Sequence, residues 1–190
     1  MKKTIGIGFL VLLSAAAARS QASNPLAKAA ENDWAKYIVN SRDATLPDLS
    51  VENQERWRVV SVVLAAGVRI DNYSMIAGQR TRLGGSARYF NNPFEPVFEL
   101  GGEAKIEIVS TSPESLSVKG VAYACTKIVR KVGSPDWNGT SPVWLCPQIP
   151  VGGVVKIENR CRVQLLPDQP PHEITEIWVL ADFGFKNWKD

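Results

Sequence analysis

From Glu103 to Val109, apolar Ala104, Ile106 and Ile108 alternate with charged Glu103, Lys105 and Glu107. That two-residue period predicts a half-buried strand with one wet face. The same period returns between Val154 and Leu166. There Val155, Ile157, Cys161, Val163 and Leu165 are apolar, interrupted at Asn159, and the even positions Lys156, Glu158, Arg160, Arg162 and Gln164 are polar. One long strand fits this stretch, and so does a hairpin pivoting at Asn159-Arg160. Trp34–Asn40, Arg56–Leu64, Gly67–Tyr73, Leu116–Val118, Val121–Lys131, Pro142–Cys146 and Glu173–Phe183 read as further strands from their β-branched and aromatic content. Ala65-Ala66 suggests a tight hairpin, and Lys119-Gly120, Ser134–Gly139, Pro150–Gly153 and Pro167–Pro171 carry the residues of turns or breaks. A helical turn or two is expected only in Asn24–Asn32, with Pro25 at an early helix position.

This pattern predicts a single all-β domain, an antiparallel curved sheet of half-barrel or sandwich-like shape with roughly eight to ten strands. Residues 74–102 stand apart. Gly78, Gly84, Gly85, Pro93, Pro96, Gly101 and Gly102 punctuate them without convincing periodicity, which predicts a long irregular loop over about 74–102.

The first residues change the reading of charge. Lys2 and Lys3, the apolar run Ile5–Leu13, small residues through Ala18, and Ser20-Gln21-Ala22 match the three parts of a secretory signal cleaved after Ala22. Residues 1–22 are therefore expected to be a signal peptide and residues 23–190 an exported domain, periplasmic or extracellular in a bacterium. The apolar run is too short for a spanning helix, which needs about 20 residues, and no transmembrane segment is expected in the mature chain. The full chain has 22 Lys and Arg against 19 Asp and Glu; without Lys2, Lys3 and Arg19 the counts are 19 and 19. The basic excess belongs to the leader, so nucleic acid is not an expected partner.

Export gives the three cysteines, Cys125, Cys146 and Cys161, an oxidising compartment. If Val121–Lys131 pairs with Pro142–Cys146, Cys125 approaches Cys146. If Pro142–Cys146 pairs with Val154–Leu166, Cys146 can face Cys161 instead. A disulfide within one of these pairs is expected, Cys125–Cys146 slightly favoured, but pattern alone leaves both open, because a two-residue slip keeps every side chain on its face.

The segment Val143-Trp-Leu-Cys-Pro-Gln-Ile-Pro-Val-Gly-Gly-Val-Val-Lys-Ile-Glu158 resembles a motif of uncharacterised exported bacterial β-sheet proteins: a Trp strand, a Val/Ile-Pro turn and Gly-Gly-Val-Val-Lys. Lys119–Cys125 and Trp34-Ala-Lys-Tyr37 are similar to strands of the same proteins. The resemblance implies a curved antiparallel sheet related to envelope proteins that hold lipid or lipoprotein in a half-barrel. It brings no catalytic or binding residue with it.

Catalytic chemistry finds little purchase. His172 is the one histidine, between Pro171 and Glu173, and is expected in an exposed loop. No Cys-x-x-Cys, His-x-x-x-His or calcium loop appears, so no metal or cofactor is expected. P-loop, dinucleotide and Gly-x-Ser-x-Gly fingerprints are missing as well. Asp43, Asp48, Glu52 and Glu55, or Glu173 and Glu176, could supply a carboxylate pair, although solvated faces explain them more simply. The best binding candidates are Arg80, Arg82 and Arg88 in the irregular stretch, since arginine suits carboxylate and phosphate groups. The expected function is non-enzymatic binding, with an apolar ligand or another envelope protein as partner. A subunit of an extracytoplasmic assembly is the alternative, and a carboxylate-dependent hydrolase ranks below both.

Overall fold

The computed structural model describes residues 25–89, 105–133, 137–164 and 170–189. The expected signal peptide and its cleavage point after Ala22 lie outside these residues. Among the described residues, nine strands follow a short 3-10 turn at Pro25–Lys28: β1 (Trp34–Asp43), β2 (Val51–Leu64), β3 (Gly67–Ile76), β4 (Gln79–Tyr89), β5 (Lys105–Val118), β6 (Val121–Gly133), β7 (Trp137–Leu145), β8 (Val154–Val163) and β9 (His172–Gly184). They form one antiparallel sheet in the order β4-β3-β2-β1-β9-β8-β7-β6-β5. The chain starts at the centre, meanders out to β4, reappears at the opposite edge as β5, and meanders back until β9 lies beside β1. The sheet is curved and not closed, with β4 and β5 as its two edges.

Residues paired across strands share a face, so the register sorts the side chains. The inner face carries Ala35, Tyr37 and Val39 of β1, Val60 of β2, Val68 and Ile70 of β3, Val143 of β7, Ile157 of β8, and Trp178 and Leu180 of β9, all buried in one cluster. Leu26 packs into the same cluster from the first turn, close to Gly152. The central strands thus alternate as their sequences do: β1 runs buried and half-buried in turn from Trp34 to Val39.

Several expectations change. Residues 74–89 are not an irregular loop. They complete β3, make a turn at Ala77-Gly78, and form β4. Two of the glycines that suggested a loop, Gly84 and Gly85, sit inside β4. Gly84 adopts φ +143° where the β3–β4 register shifts, and a Cβ on Gly85 would run into the Asp71 carboxylate. The remainder of the expected loop, 90–102, lies outside the described residues. Of the two readings left open for Val154–Leu166, the single strand through Asn159-Arg160 holds over 154–163.

β5 is a single strand rather than two, with a bulge after Ile108 and Pro113 accommodated because the strand is an edge. Its alternation promised a half-buried strand, yet Ile106, Ile108 and Val109 are 38%, 45% and 58% exposed. Position explains the difference: a terminal strand has a neighbour on one side only.

His172 also differs from expectation. It opens β9, is 4% exposed, and its Nδ1 lies 2.8 Å from Oδ2 of Asp43 at the end of β1. Oδ1 of Asp43 accepts the backbone N–H groups of Thr45 and Leu46 at 2.8 and 2.9 Å. These bonds, led by the one to His172, hold the Asp43 carboxyl below the usual carboxylate range. The pair ties the end of β1 to the start of β9.

Candidate functional site

β1, β9, β8, β7 and β6 are consecutive in the sheet, and their registers align one outward-facing row. Arg42 pairs with Thr175, Thr175 with Arg160, Arg160 with Thr140, and Thr140 with Lys131. Adjacent strands are about 4.8 Å apart, so successive cations Arg42, Arg160 and Lys131 stand roughly 10 Å from one another with a threonine between each two. A second row beside it pairs Glu173 with Arg162 and Arg162 with Asn138. Together the rows border an open groove of about 540 Å³ that includes Arg42, Asn138, Thr140, Arg160, Arg162 and Thr175. An added Cβ at Gly139 would run into the Arg160 carbonyl, so β7 lies pressed against β8 at the groove's floor.

The cations here are only loosely engaged. Arg160 is 3.8 Å from Glu158 and Arg162 is 3.7 Å from Glu173, with the two guanidinium side chains 71% and 61% exposed. Exposed pairs of this kind contribute about 0–1 kcal/mol and rearrange readily. Arg42 is exposed and makes no ion pair among the described residues. Glu107 opposes Lys131 at the far end of the row, on β5.

The arginines singled out from sequence behave differently. All three lie on β4, but Arg80 and Arg82 face outward and Arg88 faces the core. The Arg80 guanidinium stacks on the rings of Trp188 and Trp57, with centroids 4.3 and 5.2 Å away, and its Nη1 donates to the Lys189 carbonyl at 2.7 Å. Trp188 also packs against Tyr73 and Trp34, which fastens the C-terminal segment across the outer face. Arg82 donates to Asp71 Oδ1 at 2.9 Å, and Arg69 approaches the same oxygen at 3.3 Å. Burial acts to raise the Asp71 pKa, but the bonds from Arg82 and Arg69 prevail and lower it. Arg88 is 9% exposed.

The inner face holds charge as well. Arg56 lies 3.6 Å from Glu176 and over the Trp178 ring at 5.1 Å. Asn159 donates to Glu176 at 3.3 Å, yet burial outweighs these partners and raises the Glu176 pKa. Burial also lifts the Tyr37 hydroxyl to about 12, against the opposing influence of Arg58. Arg130 is 3% exposed and donates to the Ser141 carbonyl and Oγ at 3.3 and 2.7 Å. Its burial brings the guanidinium pKa down to about 10. These groups are interior, whereas the outward groove is reachable.

Cys125, Cys146 and Cys161 are thiols in the structure. Cys161 pairs with Gly139 on one side and Ile174 on the other, which keeps it away from Cys146. Among the described residues, no group of three or more His, Cys, Asp or Glu could hold a metal ion, and no helix is long and apolar enough to cross a membrane.

No family model matches this chain, and neither a curated protein nor a solved structure does. The row of cations was only half visible in the sequence. The alternation of β8 marked Arg160 and Arg162 as outward-facing, but nothing in the sequence joined Arg42 to them.

Proposed function

We propose that this protein is an exported, non-enzymatic binding module that holds an acidic glycan of the cell envelope along its outward cationic row. The observation that carries this reading is the alternation of Arg42, Thr175, Arg160, Thr140 and Lys131 across five adjacent strands. Guanidinium groups suit carboxylates, and the hydroxyls between them can exchange hydrogen bonds with sugar hydroxyls. The cation spacing of roughly 10 Å, two strand intervals, lets well-separated carboxylates of an extended polyuronate chain each meet a cation. Nucleic acid fits less well. Its phosphates recur every ~3.4 Å along a strand, and single-strand binders add aromatic platforms, whereas among the described side chains no aromatic one lines this groove. The export signal read at residues 1–22 supports the compartment.

Titration of the full chain with polygalacturonate oligomers, beside neutral dextran and single-stranded DNA, tests the proposal. Binding to the acidic glycan alone is expected, weakening as salt shortens the Debye length from about 10 Å at 0.1 M. Equal binding to dextran, tighter binding to DNA, or no binding to polygalacturonate would overturn it.

A further inference from the structure

The register that sets Thr126 opposite Leu145 brings Cys125 opposite Cys146 at the next step, where β7 has just ended. Both residues are buried, at 5% and 2% exposed, and both belong to the core cluster with Val118 and Ile149. The backbone N–H of Cys146 turns away from β6 and donates to the Gly153 carbonyl at 2.7 Å. Relative to β6 this is therefore a non-hydrogen-bonded position, the kind in which opposed Cα atoms come to ~4.5 Å and side chains approach most closely. A disulfide accepts Cα separations of about 4.4–6.8 Å. Cys161 is directed elsewhere: its strand register places it opposite Gly139, and its Sγ donates to the Ile174 carbonyl at 3.7 Å.

We propose that Cys125 and Cys146 are joined by a cross-strand disulfide in the exported protein, leaving Cys161 as its thiol. The bond forms by exchange with a donor disulfide. One cysteine thiolate attacks the donor, forming a mixed disulfide and releasing one donor thiolate. The second cysteine thiolate then attacks the protein sulfur of that mixed disulfide, forming the Sγ–Sγ bond and expelling the second donor thiolate. The two protons lost by the cysteines end on the two donor thiols. Two electrons pass from the protein to the donor.

The surroundings protect the finished bond. Burial, with Cys146 alongside, pushes the Cys125 thiol up to about 11, so the folded protein presents almost no thiolate there. At 5% and 2% exposure, the two residues keep the bond from external thiols. The bridge anchors an awkward turn. Val151, Gly152 and Gly153 follow one another at φ +58°, +89° and +75°, and the β-branched Val151 is fully buried in that conformation.

The test uses the full chain, leader included, exported into an oxidising compartment and alkylated in denaturant without reductant. One alkylated cysteine, mapped to Cys161, and a mass two hydrogens below that of the fully reduced protein are expected. Three alkylated cysteines, or any bridge that involves Cys161 within or between chains, would overturn the proposal. Refolding the reduced, denatured chain in oxidised and reduced glutathione gives the same readout independently of export. Cys161→Ser must retain the bridge, and native protein must resist a dithiothreitol treatment that reduces it in denaturant; failure of either result also counts against it.

Discussion

Two sets of arginines on this sheet lead opposite lives. Arg80, Arg82 and Arg88 lie within nine residues of sequence on edge strand β4 and are divided between the two faces. Two of them are tied to Trp57, Trp188 and Asp71, and the third is buried. Arg42 and Arg160 are more than a hundred residues apart in sequence, yet they stand in one row with only β9 between their strands. Proximity along a strand therefore separates side chains as often as it gathers them, because neighbours alternate sides. Cross-strand register is what collects a surface.

Removing arginines from each environment in turn should expose the difference. The largest effect on stability is expected from Arg88→Ala, which takes a buried side chain away from its surroundings. Loss of buried polar interactions typically costs about 1–3 kcal/mol, readable as a lower urea midpoint, with glycan affinity unchanged. A fall in affinity without a fall in stability would reverse the assignment of Arg88 as structural.

The triple variant Arg42→Ala/Arg160→Ala/Arg162→Ala should do the converse. Polygalacturonate affinity is expected to drop at least tenfold, about 1.4 kcal/mol, while unfolding free energy stays within about 0.5 kcal/mol of the parent. Unchanged affinity would remove the groove from consideration.

Arg80→Ala comes next. Its stacking is exposed, and cation–π contacts of this sort contribute about 0.5–1 kcal/mol. The expected signature is earlier proteolytic trimming of the C-terminal segment around Trp188, with a changed tryptophan emission and no change in glycan affinity. Should trimming be unaltered, the segment is held without help from Arg80.

The smallest effect is a pH dependence. The native Asp71 pKa lies below its unfolded value, so the stability it contributes is fully present above the unfolded carboxylate pKa, about 3.9. That contribution fades as pH falls through the lower native value. Asp71→Asn should flatten this acidic limb of the stability curve and leave the neutral region near its mutant baseline. An unaltered limb would mean that Arg69 and Arg82 do not stabilise the ionised form.

Sequence pattern alone determined a good deal of this protein. Alternation in Val154–Leu166 identified β8 and told Arg160 and Arg162 to face outward, and turn residues at Pro150–Gly153 located the link from β7 to β8. It erred where local cues conflicted with position in the sheet. Gly84 and Gly85 looked like loop because glycine is common in loops, yet one adopts a positive φ at a shift in register and the other admits the Asp71 side chain. His172 looked exposed beside two prolines, and Asp43, 129 residues away, draws it inside.

Tertiary structure alone decided the rest. Pairing of β1 with β9 set Arg42 beside Thr175, and the register of β7 on β8 set Cys161 opposite Gly139 rather than Cys146. The physical reason is the period of the strand itself. A repeat of two assigns each side chain to a face, but it is unchanged by a slip of two residues, so the choice of neighbour rests on packing between segments far apart in the chain.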